Sequence, residues 1–149
     1  MRYLFRELTS REELLKYFKL RYEVYQRSHV KRFLSEKAKK VDYDPCDLQS
    51  THFGLFIQQD KRWELIGGVR NIDTFFHADK CQKLKHLFGG EHPEQAQSLP
   101  TMLKLRTELP DYLAALPTVC EGSRLVLRKH FRIIHTVCFL ILNAMTILI

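Results

Sequence analysis

Apolar and polar positions along the chain alternate in several short runs, and near the start they recur at helical spacing instead. Residues 3–8 form the first apolar run and predict a strand. Ser10 follows as a helix N-cap, and Glu13, three residues later, completes the pattern of a capping box. The helix is predicted to continue to about Arg27. Its apolar stripe consists of Leu14, Phe18, Tyr22 and Tyr25.

Residues 51–58 and 63–72 predict two neighbouring strands, because each is a run rich in apolar side chains. The polar residues 59–62 between them predict a hairpin turn, so the two strands should pair antiparallel. Gly67 and Gly68 interrupt the second strand. Glycine inside a strand indicates a bulge or a place where the backbone closely approaches a ligand.

Residues 119–127 predict a strand that carries unexpected charge. A buried carboxylate and a buried guanidinium are costly unless paired, so Glu121 and Arg124 indicate chemistry or ligand binding. A structural ion pair at the end of the strand is the alternative. Strict alternation places Glu121 and Ser123 on one face and Arg124 on the other. A bulge at Gly122 would turn both charges toward one cleft.

The remaining segments are less regular. Residues 80–88 and 108–116 predict short helices. Residues 133–149 contain no charge and predict a buried helix packed on the sheet. A membrane segment is the alternative, because the run is at the lower edge of the length that spans a bilayer. The chain ends inside this apolar run, so we expect that the domain continues beyond it.

The composition predicts one folded domain over residues 1–149. Hydrophobic residues make up 45% of the chain and charged residues 28%, which is ordinary for a globular protein. The net charge of +7 favours acidic partners such as phosphates, an acidic carrier protein, nucleic acid or an anionic membrane. The N-terminus has no secretory hydrophobic segment, and the four cysteines include no Cys-x-x-Cys pair, so we expect a cytoplasmic protein.

Two groups of potential metal ligands are present, and neither matches a common metal-binding pattern. Three carboxylates at a spacing that suits a hard cation lack the glycine and the distal glutamate of a calcium loop: Asp42, Asp44 and Asp47. Imidazole and thiol groups occur at a spacing that fits no common zinc site: His77, Cys81, His86 and His92. We therefore predict no metal and no bound cofactor. The aspartates therefore form either a solvated acidic turn or a negatively charged surface that orients cationic groups, which would be arginines or a substrate amine.

Several short motifs follow one another along the chain. The first is Arg21-Tyr-Glu-Val-Tyr25, and the second is Asp42-x-Asp44-x-x-Asp47. Ser50-x-His52 comes next, followed by Gly67-Gly-Val-Arg70 and Glu121-Gly-Ser-Arg124. In this order they resemble the motifs of the acyl-homoserine lactone synthases and of the N-acyl amino acid synthases, two branches of the GNAT acyltransferases. Ser50-x-His52 resembles the amino acid synthase branch more closely.

The resemblance implies an α/β fold with a GNAT-like, mixed and mostly antiparallel sheet flanked by helices. It covers about residues 3–130. Asp42 stands where the synthases usually carry glutamate, and the fold of the family continues with further strands and helices. The C-terminal part of the fold is therefore expected to be missing.

The implied reaction moves a fatty acyl group from an acyl carrier protein thioester, or from acyl-CoA, to the amine of an amino acid or a related small molecule. A lactone synthase that uses S-adenosylmethionine is the alternative. The resemblance implies catalytic roles for Glu121, as the general base, and for Arg124, which would hold Glu121 or the aspartates in place.

The remaining roles also follow from the resemblance. The aspartates would form a charge network with two arginines that shapes the amine site, whose residues would be Arg21, Tyr25, Asp42, Asp44, Asp47, Arg70 and Ser123. Residues 128–132 contain no Gly-rich acyl-CoA loop, which fits a carrier protein as donor. The carrier or its phosphopantetheine phosphate would contact Arg128, Lys129 and Arg132.

A hypothesis of another class is an inactive, truncated domain that uses its basic surface to contact a membrane or nucleic acid. The basic residues of 31–40 and 128–132 allow this, but no strand with interleaved aromatic and basic side chains supports RNA binding. We expect an acyl carrier protein and a small-molecule amine as partners, no nucleic acid and no membrane.

Overall fold

The computed structural model describes residues 2–28, 34, 40–73, 120–133 and 136. The order of elements in this part of the chain is β1 (Arg2–Glu7), α1 (Arg11–Tyr25), a 3₁₀ helix (Pro45–Gln49), β2 (Ser50–Gln59), β3 (Arg62–Asp73), β4 (Cys120–Leu127) and a short 3₁₀ turn (Lys129–Phe131). The predicted strands and the first helix are therefore present, and their ends lie within two residues of the expected positions.

The described strands form one antiparallel sheet in the order β1-β2-β3-β4. Together with α1, they make this part of the chain an α/β unit with a four-stranded antiparallel sheet and one helix. Because each strand pairs with the next described strand in sequence, the sheet places β3 and β4 side by side. That placement brings the charged side chains of both strands together.

The sequence around Ser10 explains where α1 begins. Ser10 Oγ accepts a hydrogen bond from the backbone N–H of Glu13 at 3.2 Å, which satisfies one of the free donors of the first turn. The Glu13 carboxylate pairs with Arg6 of β1 and so ties the start of the helix to the sheet. The helix ends at Tyr25, two residues before the expected Arg27.

The turn between β2 and β3 confirms the predicted hairpin. Asp60 and Lys61 have φ angles of 47° and 64°. Positive φ at both central residues defines the type I′ turn, whose twist matches that of the two strands it joins.

The predicted bulge of β4 lies at a different residue. Gly122 pairs in regular register with Asn71, so the bulge expected at Gly122 is wrong. The register shifts two residues later, where Arg124 and Leu125 face Val69 of β3, and Arg124 has a φ of 53°. The physical consequence is the expected one, because the bulge brings Arg124 to the same face as Ser123.

The main core lies between α1 and one face of the sheet, and a smaller cluster covers the other face. Each fully buried large apolar side chain contributes about 1.5–3 kcal/mol. The main core contains Leu8, Leu14, Tyr17, Phe18, Leu20, Val41, Leu48, Phe56, Leu65 and Val126. The smaller cluster contains Leu55, Ile57, Ile66 and Leu127. Burial on both faces explains why β2 and β3 are largely apolar.

Some predictions fall outside the described residues. The short helices predicted at 80–88 and 108–116 do so entirely, and of the apolar run 133–149 only Ile133 and Thr136 are described. Thr136 is buried, and its hydroxyl lies 3.3 Å from that of Tyr3 in β1. In the part of the chain that the structure describes, no helix is long and apolar enough to cross a membrane.

Candidate functional site

Arg21 is the centre of the site, and α1 carries it into a completely buried position. Its side chain, like those of Asp42 and Asp47, has 0% exposed surface. Arg21 donates from Nε to Asp42 Oδ2 at 2.8 Å and from Nη1 and Nη2 to the two Asp47 oxygens at 2.6 and 3.2 Å. The planar guanidinium suits this forked contact. Removal of either aspartate would leave buried charge uncompensated, at a cost of about 3–5 kcal/mol.

A second guanidinium reaches the same carboxylates from β3. Arg70 Nη1 lies 2.6 Å from Asp44 Oδ1 and 3.0 Å from Asp47 Oδ1, and Nε donates to Ser123 Oγ at 3.0 Å. Arg70 stands directly opposite Ser123 in the ladder, where opposed side chains share a face. The predicted contact of Arg21 and Arg70 with residues 42–47, here called the acidic turn, is confirmed.

Arg124 of β4 lies at the more open end of this network. Its Nη2 donates to Asp44 Oδ2 at 2.9 Å, and its Nε lies 3.6 Å from Asp42 Oδ2. The side chains of Arg124 and Asp44 are 21% and 18% exposed, in contrast to the buried Arg21. A ligand that arrives from solvent would therefore meet Arg124 and Asp44 first.

The acidic turn orients its own carboxylates. Asp44 Oδ1 accepts from the backbone N–H of Cys46 at 2.9 Å, and Asp47 Oδ2 accepts from the N–H of Asp44 at 2.8 Å. Pro45 suits the first position of the 3₁₀ helix, because its fixed φ and missing N–H cost nothing there. This reciprocal cap explains why two aspartates three residues apart face the same arginines.

Electrostatics fix the charge states at the buried end. Burial alone would raise the pKa of Asp47, but Arg21, Arg70 and a hydrogen bond with His52 hold that pKa well below its usual range. His52 Nε2 lies 3.0 Å from Asp47 Oδ1, and because the carboxylate can only accept, Nε2 carries the proton. Burial lowers the pKa of His52 more than Asp47 raises it, so His52 is a neutral donor at pH 7.

Glu121 shares the face of the network without joining it. Glu121 pairs with Ile72 in the ladder, two positions before Ser123, and alternation places both side chains on the α1 side. One of its carboxylate oxygens is buried and makes no hydrogen bond to a described residue. Burial and then Asp44 raise the pKa of Cys46 in the acidic turn, Arg70 opposes the rise, and Asp47 and Glu121 add to it. No ion pair joins Glu121 to Arg124 within the described residues.

Two tyrosines of α1 contact the bulge of β4. The hydroxyl of Tyr17 donates to the carbonyl of Arg124 at 3.1 Å, and that of Tyr25 donates to the carbonyl of Leu125 at 3.3 Å. The Arg124 guanidinium also lies 5.6 Å from the centre of the Tyr25 ring. Sequence reasoning singles out Tyr25 and misses Tyr17. The four-residue spacing of Tyr17, Arg21 and Tyr25, which places them on one stripe of the helix, is the signal that would find it.

A cleft of about 550 Å³ lies between the C-terminal half of α1 and the segment after β4. Five basic side chains line this basic cleft: Arg27, Arg128, Lys129, His130 and Arg132. Arg128 forms an ion pair with Glu64 of β3, and Arg132 Nε donates to the Leu127 carbonyl at 3.0 Å. The three residues predicted to meet the carrier therefore lie together, and Arg27 and His130 join them without having been predicted.

The candidate metal ligands have a different arrangement. The carboxylates of the acidic turn contact guanidinium groups. Across residues 2–28, 40–73 and 120–133, no group of three or more histidine, cysteine, aspartate or glutamate side chains is arranged to hold a metal ion. The imidazole and thiol group of residues 77–92 lies outside the described residues.

Fold and site together define an α/β unit with a buried arginine–aspartate network between one helix and an antiparallel sheet. Comparisons of the chain with protein-family models, with curated proteins and with solved structures find no match. The resemblance to the GNAT synthases therefore rests on the sequence motifs.

Proposed function

We propose that the chain is an N-acyltransferase of the GNAT type that moves a fatty acyl group from an acyl carrier protein thioester to the amine of an amino acid or a related small molecule. One observation carries the proposal. The motifs on α1, the acidic turn, β3 and β4 are far apart in sequence, yet Arg21, Arg70 and Arg124 all contact aspartates of the acidic turn.

The free groups of this network suit an amino acid as the acceptor. Asp42 Oδ1 and one Glu121 oxygen are buried and have no hydrogen-bond partner among the described residues, and such acceptors are costly to leave empty. An ammonium group of the substrate would satisfy the Glu121 oxygen, whose residue is only partly buried, whereas the Asp42 side chain has no exposed surface. Arg124, at the open end, would receive the carboxylate of the same molecule in a forked contact.

The chemistry would begin when Glu121 removes a proton from the bound ammonium group, directly or through a water molecule. The neutral amine then attacks the thioester carbonyl carbon and forms a tetrahedral intermediate with an oxyanion. Collapse of this intermediate breaks the carbon–sulfur bond and releases the carrier thiolate. The nitrogen loses its second proton as the amide forms, and the thiolate takes up that proton. Arg21, Arg70 and the aspartates would fix the site in which these steps occur.

The donor would approach from the basic cleft. Its side chains would attract the acidic surface of a carrier protein, and Arg128, Lys129 and Arg132 would meet the phosphopantetheine phosphate. Arg128 already pairs with Glu64, so Lys129, which is exposed, is the more accessible cation.

Two alternatives make different predictions. S-adenosylmethionine as the amine would give a lactone synthase, and its cationic sulfonium would also suit a site rich in carboxylates. A non-enzymatic basic module would use the same basic cleft for an anionic membrane or nucleic acid and would turn over no thioester.

The test is a thiol-release assay with an acylated carrier protein and a mixture of free amino acids, run in parallel with acyl-CoA and with S-adenosylmethionine. We expect thiol release that requires an amino acid. Glu121→Gln should lower kcat by roughly 10²–10⁴-fold, the usual contribution of a general base.

The matched control is Glu7→Gln, which removes an exposed carboxylate at the end of β1. This variant should keep the wild-type rate. Thiol release that depends on S-adenosylmethionine alone would favour the lactone synthase. An absence of release with every donor and acceptor would refute the enzymatic proposal.

A further inference from the structure

Arg124 occupies a backbone conformation that needs support. Its φ of 53° is in the left-handed region, which residues other than glycine adopt at a cost unless their surroundings hold them there. The bulge that contains it places Arg124 and Leu125 opposite a single residue of β3. A bulge interrupts the ladder, so carbonyl groups near it depend on other donors.

The two donors come from one helix. Tyr17 and Tyr25 are two turns apart on α1 and bond the carbonyls of consecutive residues, Arg124 and Leu125. Tyr17 is fully buried, and burial raises the pKa of both phenols, so both hydroxyl groups are protonated donors at neutral pH.

We infer that Tyr17 and Tyr25 are positioning residues for Arg124, because their hydroxyl groups hold the bulge that turns the Arg124 guanidinium toward Asp44. Without the bulge, strict alternation would place Arg124 on the face opposite to Ser123, away from the acidic turn. That Arg124 then meets a substrate rests on the proposed function, whereas the positioning itself does not.

The test uses the full chain, uniformly labelled with ¹⁵N, and observes the arginine Nε–Hε signals by nuclear magnetic resonance. Loss of a signal in Arg124→Lys assigns the signal of Arg124. In Tyr17→Phe and in Tyr25→Phe, which keep the rings, we expect that signal to shift or broaden. Amide exchange in residues 123–126 should become roughly fivefold faster, the factor of a typical net hydrogen bond.

The matched control is Tyr22→Phe, which removes a hydroxyl from the same helix outside these contacts. It should leave both the Arg124 signal and amide exchange unchanged. A general loss of stability would instead accelerate exchange across β1 to β4 and affect every arginine signal. Either that uniform pattern or an unchanged Arg124 signal in both phenylalanine variants would overturn the inference.

A second experiment tests whether the positioning of Arg124 affects the proposed reaction. In the thiol-release assay, Tyr25→Phe should lower kcat severalfold and leave the KM for the acylated carrier protein unchanged. When Arg124→Gly is already present, Tyr25→Phe should cause no further decrease in kcat, because the guanidinium is gone and glycine adopts the positive φ without support. Changes in the arginine signal without any thiol release would sustain the positioning role and reject the acyltransferase.

Discussion

At the scale of single residues, the site depends on buried charges that each have an opposite partner. The side chains of Arg21, Asp42 and Asp47 have no exposed surface. Burial of a guanidinium and two carboxylates costs free energy, which only short, well-aligned contacts between them can offset. His52 adds a neutral hydrogen-bond donor to Asp47 from β2. Because a neutral ring brings no further charge, it satisfies the carboxylate without repelling Arg21 and Arg70.

The buried His52 predicts a pH dependence of stability. Its folded-state pKa is lowered, chiefly by burial, whereas in the unfolded chain it is about 6.5. As the pH falls below about 6.5, the unfolded chain therefore binds more protons, and the free energy of unfolding decreases. This contribution is complete above the unfolded pKa and is lost as the pH falls through the folded pKa.

His52→Gln should remove this component, so the free energy of unfolding should change less between about pH 6.5 and 5 than in the wild type. Urea titrations at successive pH values measure it. His130→Gln, at an exposed histidine, is the control and should keep the wild-type slope. Identical slopes for His52→Gln and the wild type would contradict the prediction.

The contacts of the site were only partly predictable from single residues. Arg21 lies on the apolar face of a helix, and Arg70 follows two glycines in a strand, so both guanidinium groups need acceptors when buried. Their contact with the aspartates therefore follows from the cost of an unpaired buried charge. The bulge at Arg124 does not follow, because a non-glycine residue at positive φ runs against local preference and is set by Tyr17 and Tyr25 from a distant helix. Sequence preference pointed to Gly122 instead.

At the scale of elements, β3 and α1 are in unusually close contact at Gly68. A Cβ at this position would lie 2.4 Å from the carbonyl oxygen of Phe53 and 2.8 Å from the Tyr17 ring. The glycine therefore allows the helix and β2 to approach β3 at the same point. Sequence reasoning expected either a bulge or a close approach of backbone and ligand at Gly67 and Gly68. The register between β2 and β3 does shift beside Gly67, where Ile66 is the extra residue, and at Gly68 the backbone approaches a helix of the same chain.

Gly68→Ala should lower the free energy of unfolding by about 1–3 kcal/mol, because the backbone of β2 and a buried ring must both move. Chemical denaturation monitored by circular dichroism measures the loss. Gly122→Ala is the matched control, since among the described residues its Cβ would meet only Asn71 Oδ1, at an ordinary 3.7 Å. Equal stabilities of the two variants would show that Gly68 has more room than its contacts indicate.

The hairpin of β2 and β3 was predictable because its signals are local. Apolar runs on both sides of a polar tetrapeptide specify two strands and a turn, and Asp60 and Lys61 supply the required positive φ angles. The pairing of β3 with β4 is different. It joins segments that are separated by a long stretch of sequence, and no local pattern specifies its register.

At the scale of the whole molecule, the chain has a net charge of +7, and one cleft collects four of its arginine and lysine side chains together with His130 and Glu23. The arginine–aspartate network, by contrast, balances its charges internally. The two regions therefore suit different partners. Under the proposed function, the network would bind a small zwitterion and the basic cleft would bind an extended acidic surface, whose attraction acts over about 8–10 Å at physiological salt.

This division of charge gives the last prediction. Arg27→Glu combined with Lys129→Glu should weaken binding of an acylated carrier protein by roughly tenfold or more, because both cations line the basic cleft and would then repel the acidic partner. Calorimetric titrations at several salt concentrations should show a smaller salt dependence for this variant than for the wild type. Arg2→Glu with Arg11→Glu is the control, since both arginines are exposed, lie outside the cleft and lower the net charge equally. If both double variants lost affinity to the same extent, the carrier would respond to the overall charge of the protein, and the basic cleft would not be its binding site.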